Sequence, residues 1–391
     1  MAIILFDNSS REKLFPLTLT RAIADLRCGI LTIKERWELK AKQKVFIHTT
    51  GYLSNLYTTV PDQGNTWIDA SIMPDELLTE RIINLQNGEA LTDDNGLIAG
   101  RTDVLPFSVL SANVLEYFDL VVTLDNIERL EYPFQIFQWN DKMIRHDFVL
   151  ITADKTSQPI SHTNQILHHE NIFIEETATV EFCALNSTKG PIYIGKNAVM
   201  MEGSMVRGPF ALGENSLLKM GAKVYGATTI GPNCVGGGEI KNVVMLGNSN
   251  KAHDGYLGDS VIGEWCNMGA GSSNSNVKNT GGEVKLWNKS AHAFMNVGQK
   301  CGVIMGDYSR TAINSSINTG SVIGVSCNVF GKGLLPKIID DFSWGLNETY
   351  QLDKAVNDIK NWKQMKHQQL TEAEVAVLNH VFVNSMESKK L

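Results

Sequence analysis

The spacing of apolar and polar positions divides the chain into three. Over residues 1–160, short apolar runs, "AIILF", "KVFIHT" and "LVVTL", alternate with segments of helical spacing, "ADLRCGILTIKERWELK" and "PDELLTERIINLQ". Strands separated by helices predict an α/β layer. From Ile194 the apolar positions fall every six residues, at Ile194, Met200, Val206, Leu212, Leu218, Val224 and Ile230. A small residue follows four places later at Ala198, Ser204, Ser216, Ala222, Thr228 and Cys234, with Phe210 the exception. Six matches neither the helical 3.6 nor the strand period of two. It fits a coil of triangular section, in which each flat side is one short parallel strand and stacked coils share a continuous core.

The register then slips and resumes at Val244, Asn250, Tyr256, Ile262 and Met268, and again at Thr311, Ile317, Ile323 and Val329. Each slip predicts an inserted corner or loop. Residues 275–295, "SNVKNTGGEVKLWNKSAHAFM", break the hexads altogether and read as a longer excursion, the kind of loop on which a rigid scaffold carries function. Past "DDFSWG", Leu352, Ala355, Val356, Ile359 and Trp362 recur at helical spacing, and Thr371 with Glu374 forms a capping-box signature ahead of Val375, Leu378 and Phe382. A helical tail is therefore expected over 346–391, its apolar stripes serving as packing faces.

Length and composition narrow the function. The 391 residues, 43% apolar and 20% charged, suffice for two or three cored domains. A net charge of −7 argues against nucleic-acid binding through a broad basic face. The start, "MAIILFDNSSREK", has no basic lead-in, and no apolar run approaches the roughly 20 residues of a membrane span, so a cytoplasmic protein is expected. Six scattered cysteines without a CxxC pair suggest neither zinc nor redox work. Cys234, Cys266 and Cys327 take the small-residue place of their hexads and read as packing residues, whereas Cys301 falls outside a clear register.

The stretch "KAHDGYLGDSVIGEWCNMGAG" goes beyond the repeat. With the hexads it resembles the left-handed β-helix acyltransferases, in particular the acetyltransferase half of the bifunctional N-acetylglucosamine-1-phosphate uridyltransferase/glucosamine-1-phosphate acetyltransferase family, over about residues 175–332. The matching places are His253, Tyr256, Leu257-Gly258-Asp259, Ile262-Gly263 and Asn267-Met268-Gly269-Ala270-Gly271. The resemblance implies that His253 is the general base for a sugar amine attacking acetyl-CoA, a task suited to an imidazole titrating near neutrality. It further implies acceptor contacts from Tyr256 and Asn267, with Asn276 beside them, a phosphate contact from Lys241 and a second cation at Lys219. Ala270 would lie along the acetyl-CoA, and Lys300, Arg310 and Lys332 are candidates for its phosphates. Glu239 could orient the base; Lys241 could equally be a solvated corner charge, and His292 reads as structural or loop-exposed. Where the family has an asparagine-tyrosine-aspartate-glycine run, Asn276 is followed here by Val277 and Lys278. A homotrimer is implied, since family sites lie between neighbouring prisms.

The opening, "REKLFPLTLTRAIADLRCGILTIKERWE", resembles sugar nucleotidyltransferases through Leu14, Pro16, Leu17 and Thr18, with Lys13 at the place of the family arginine. Their glycine-rich phosphate loop is replaced by "FDNSSREK", and the first glycine is Gly29. Arg11, Arg21 and Lys34 are the cations available for a nucleotide, and they read equally as ordinary helix-face charges. Mg²⁺ would be needed if this domain transfers a nucleotidyl group. The expected architecture is an α/β nucleotidyltransferase-like domain (1–160), a left-handed parallel β-helix (161–345) and a helical tail (346–391). Three functions stay open: acetyl transfer to an amino-sugar phosphate or nucleotide sugar, nucleotidyl transfer on a β-helix that only trimerises, and non-catalytic nucleotide-sugar binding.

Overall fold

A computed structural model describes residues 2–61, 64–103 and 114–388. The apolar run at the start becomes the buried strand Ala2–Phe6, flanked in parallel by Val45–His48 and Asn65–Asp69. The sheet continues through Gly96–Thr102, Glu89–Asp93 and Leu120–Thr123 to six strands. Of the two expected helical segments, only Ile33–Ala41 and Glu76–Ile83 are α-helical. The part of the first ahead of Thr32 is mostly turn, and Thr32 starts the helix through a capping box with Glu35. The longest helix, Pro133–Thr152, begins on a proline and turns Ile136, Phe137, Asn140, Met143, Ile144 and Asp147 inward.

From Gln165 the chain winds as a parallel β-solenoid of three faces. The first face carries Gln165–Leu167, Ala184–Asn186, Met205–Arg207 and Lys223–Tyr225, and continues into the start of Glu239–Gly247 and Tyr256–Glu264. The second carries Ile172–Ile174, Ile192–Ile194, Phe210–Leu212, Thr228–Ile230 and the far halves of those two long strands. The third carries Val199–Met200, Leu217–Leu218, Val235–Gly236, Asn250–Lys251, Asn267–Met268 and Arg310–Thr311. Alternate residues of each side point inward, as at Ile192 and Ile194 or Phe210 and Leu212, and these form a continuous apolar core from Ile172 to Ile339.

The first hexad register is observed as expected, while the second is displaced at three of its five positions. Interior residues there are Met245, Lys251 and Leu257, and Val244, Asn250 and Tyr256 stand outside. The cause lies in the two nine-residue strands, which turn the corner between the first and second faces without a break. Ile240 to Met245 and Leu257 to Ile262 therefore take five positions instead of six.

Two faces are covered by the chain itself. The second receives the N-terminal domain: Val244, Leu246, Val261, Ile304 and Val322 belong to the same apolar cluster as the Ala2–Phe6 sheet. Asn140 ties this junction, accepting from the Gly29 amide at 2.8 Å and donating to the Ala227 carbonyl at 2.9 Å. The third face and its corner with the second receive the C-terminal helices Leu352–Met365 and Glu372–Ser388. Ala355, Ile359, Val377, Leu378 and Val381 pack there against Trp265, Tyr308, Val325 and Phe342. The excursion after residue 275 folds as an antiparallel hairpin, Val284–Asn288 with Ala293–Gly298. It lies against the N-terminal domain, Asn288 donating to the Lys13 carbonyl and Gln138 to that of Val297. No helix among the described residues is long and apolar enough to cross a membrane.

Candidate active site on an open edge of the solenoid

The first face has no cover of its own among the described residues. Leu167 and Met205 are about half exposed there, at 55% and 48%. The edge between the third and first faces is built from successive turns holding Lys219, Gly237-Gly238, His253-Asp254-Gly255 and Gly269-Ala270-Gly271. Glycine allows these turns to stack. A β-carbon on Gly237 would stand 2.4 Å from the Ala252 carbonyl oxygen, and one on Gly238, at φ +69°, would stand 2.7 Å from that of His253. The turn above is joined by the Gly271 amide donating to the Asp254 carbonyl at 3.0 Å.

His253 projects from this edge into solvent. It lines a shallow pocket of 260 Å³ with Met201, Lys219, Met220, Gly238, Ala252 and Asp254. That volume is below the roughly 300–1,000 Å³ of a drug-sized ligand site, so one chain supplies only part of an enclosure. Lys219 and His253 are thus brought together, and Ala270 stands on the next turn.

Round the corner on the first face, Tyr256 and Lys241 are half-buried on neighbouring strands. The Tyr256 hydroxyl accepts from the Asn276 amide at 3.0 Å, and the same amide donates to Asp259, whose other oxygen accepts from Asn242 at 2.7 Å. Burial and the nearby Asp259 raise the Tyr256 phenol above its ordinary range. Lys241 sits 5.8 Å over the ring of Tyr225. Tyr225 donates to Glu239 at 2.6 Å, and this bond, with burial, pushes its phenol up to about 12. Glu239 is therefore engaged by Tyr225. Asn267 lies elsewhere, on the third face, where it accepts from Asn250, itself a partner of Lys366 after the first C-terminal helix.

The remaining expected residues separate. Lys300 and Lys332 are exposed on later coils. Arg310 is only 8% exposed and stacks on Trp362 of the C-terminal helix, 5.0 Å from the ring centroid. His292 is exposed at the hairpin tip, edge-on to Trp287. In the N-terminal domain Arg11 is buried, pairing with Asp7 at 3.3 Å and donating to Tyr52. Arg21 is held by Asp307 and by Glu264 at 2.9 Å, both on the solenoid. Lys34 faces Glu38 at 3.7 Å on its own helix.

All six cysteines are buried. Burial pushes the thiols of Cys28, Cys234 and Cys301 up to about 12, so they remain protonated packing groups. Among the described residues no cluster of three His, Cys, Asp or Glu side chains could hold a metal ion. Asp69 and Asp93, at the ends of their strands, are both engaged by Arg129 and do not form a ready Mg²⁺ site. Two residues drawn into this region were not singled out from sequence: Tyr225 and Lys251. Lys251 was concealed by the one-residue register shift, and Tyr225 sits beside a regular hexad position with no motif to mark it.

Fold and site define a chain with an α/β domain docked on a hexapeptide-type parallel β-solenoid that presents a histidine on an open edge. Residues 3–156 match the family described as sugar nucleotidyl transferase. The bifunctional protein GlmU of Methanocaldococcus jannaschii is 33% identical over 102 residues, 26% of this chain and 24% of that protein. The bifunctional sugar-1-phosphate nucleotidylyltransferase/acetyltransferase of Sulfurisphaera tokodaii is 35% identical over 92 residues, 24% of this chain and 23% of that one. The bifunctional protein GlmU of Methanococcus maripaludis is 33% identical over 205 residues, 50% and 48% of the two chains. The chain thus spans about a quarter to a half of the length of these relatives. Among solved structures, the UDP-N-acetylglucosamine acyltransferase of Francisella novicida is 13% identical over 59% of this chain and 87% of that one, with a TM-score of 0.33.

Proposed function

We propose that the solenoid transfers an acetyl group from acetyl-CoA to the amine of an amino-sugar phosphate or nucleotide sugar, with His253 as general base. The imidazole takes a proton from the amine as its nitrogen attacks the thioester carbonyl; the carbon–sulfur bond breaks and coenzyme A leaves as the thiol. Lys219 and Lys241 would meet the acceptor's phosphate, and Tyr256 and Asn276 its hydroxyls. Asn267 would join them only from the third face, and Lys300 and Lys332 are the exposed cations left for coenzyme A.

The observation that carries this reading is the open edge itself. His253, Lys219 and Ala270 share it, Tyr256, Asn276 and Lys241 flank it on the one uncovered face among the described residues, and the chain's own domains cover the other two. A second copy seated on the first face would complete the enclosure, so we propose a homotrimer working in the cytoplasm. The test is release of free thiol from acetyl-CoA with a panel of amino-sugar phosphates and nucleotide sugars. Amine-dependent release is expected from at least one, and silence with all of them contradicts the reading.

For the N-terminal domain a second reading competes with nucleotidyl transfer. Arg11 and Arg21 are engaged in buried ion pairs and no glycine precedes Gly29, which favours a domain that binds a nucleotide sugar or braces the solenoid. Pyrophosphate exchange by the full chain with nucleoside triphosphates, sugar 1-phosphates and Mg²⁺ separates the two: exchange establishes transfer, and its absence supports the bracing role.

A further inference from the structure

The interior column of the third face reads Met200, Leu218, Gly236, Lys251, Met268 and Thr311 from coil to coil. Lys251 is the one charged member and is 1% exposed. Its ammonium donates to the Gly237 carbonyl at 3.2 Å and to the carbonyl of His253. No ion pair involves it among the described residues, and Asp254 is the acid whose charge it feels. A buried ammonium held only by carbonyls is costly, whereas methionine, common elsewhere in the core, would fill the place without that cost. Burial accordingly pushes its pKa down to about 8, with Asp254 opposing.

The cost falls directly behind His253. The turn 253–255 is gripped from three sides: the ammonium from within, the glycines 237 and 238 from the coil below, and the Gly271 amide from the coil above. We infer that Lys251 is a positioning residue for His253, its ammonium holding the His253 carbonyl from inside the solenoid and so fixing the direction in which the imidazole leaves the edge. This rests on the reading of His253 as the base, and the experiment keeps the two apart.

The variant Lys251→Met, beside His253→Ala and the native chain, is assayed for acetyl transfer, thermal unfolding and amide hydrogen exchange over residues 253–255. For Lys251→Met the expected result is a kcat about 10- to 100-fold lower, as a small misplacement of a reacting group can produce, with KM values for both substrates within about twofold of native. Exchange in the turn is faster and the unfolding temperature is equal or higher. A merely structural lysine gives the opposite pattern, a lower unfolding temperature with kcat per folded molecule retained. Unchanged kcat and unchanged exchange, with His253→Ala inactive, overturn the positioning role and leave the base in place. Full activity in His253→Ala removes the base, and the exchange in Lys251→Met then decides alone whether the ammonium anchors the turn.

Discussion

His253 depends for its usefulness on what surrounds its backbone more than on what touches its ring. The imidazole is solvent-exposed, while the peptide that carries it is seated on glycines and held from within by Lys251. The buried ammonium has a measurable signature. Because its folded pKa lies at about 8 against an ordinary 10.5, the unfolded chain binds a proton between those values that the folded chain has released. Stability contributed by this group therefore rises with pH across that window and is at its lowest below about 8. Urea midpoints of the native chain measured at pH 7.5 and 10 should show a gain that Lys251→Met lacks. At this scale the sequence was informative where a side chain keeps the hexad register: Cys234, Cys266 and Cys327 lie in the solenoid core as their places predict. It was uninformative for Lys251, because a lysine inside an apolar column contradicts its own hydropathy, and only the register of the coil puts it there.

Among the elements, the corners explain how the repeat accepts its partners. Asn197, Asn215, Asn233 and Asn248 occupy the left-handed region at successive corners between the second and third faces, where asparagine is tolerated with little strain. Higher up, the same corner is taken by Trp265, Tyr308 and Phe342, also at positive φ, and these are the side chains on which the C-terminal helices dock. Burial of the aromatic offsets the strain of its backbone. The six-residue spacing made the solenoid readable from apolar positions alone, yet it could not reveal that two strands bend through a corner in five. Nor could it reveal that the 275–295 excursion is a hairpin packed on the first domain. The glycine seat gives the prediction proper to this scale. Gly237→Ala drives a β-carbon against backbone at Ala252, so the His253 turn must move. A loss of about 1–3 kcal/mol in denaturant unfolding and a fall in acetyl transfer are expected, whereas Gly221→Ala, with open space around it but a φ of +66°, should cost stability and leave transfer intact.

As a whole, the described residues form a prism with two faces covered by the chain itself and one left open among them. The N-terminal domain is fixed to the solenoid partly by charge: Arg21 is 8% exposed and faces Glu264 and Asp307, of which Asp307 is almost fully buried. Arg21→Met strands that carboxylate and should cost about 3–5 kcal/mol in urea unfolding. It should also disturb the interface before the solenoid core, which exchange at the Thr228–Ile230 and Glu239–Gly247 strands can follow. If a second and third copy cover the first face, light scattering should return three times the 43.2 kDa chain mass, and a charge at Met205, as in Met205→Glu, should release monomers. The turnover of His253→Ala with acetyl-CoA and the best amino-sugar acceptor tests the proposed acetyl transfer most directly. Loss of the base should lower kcat by about 10²–10⁴-fold with the fold and assembly unchanged; a kcat within about twofold of the native chain would contradict it.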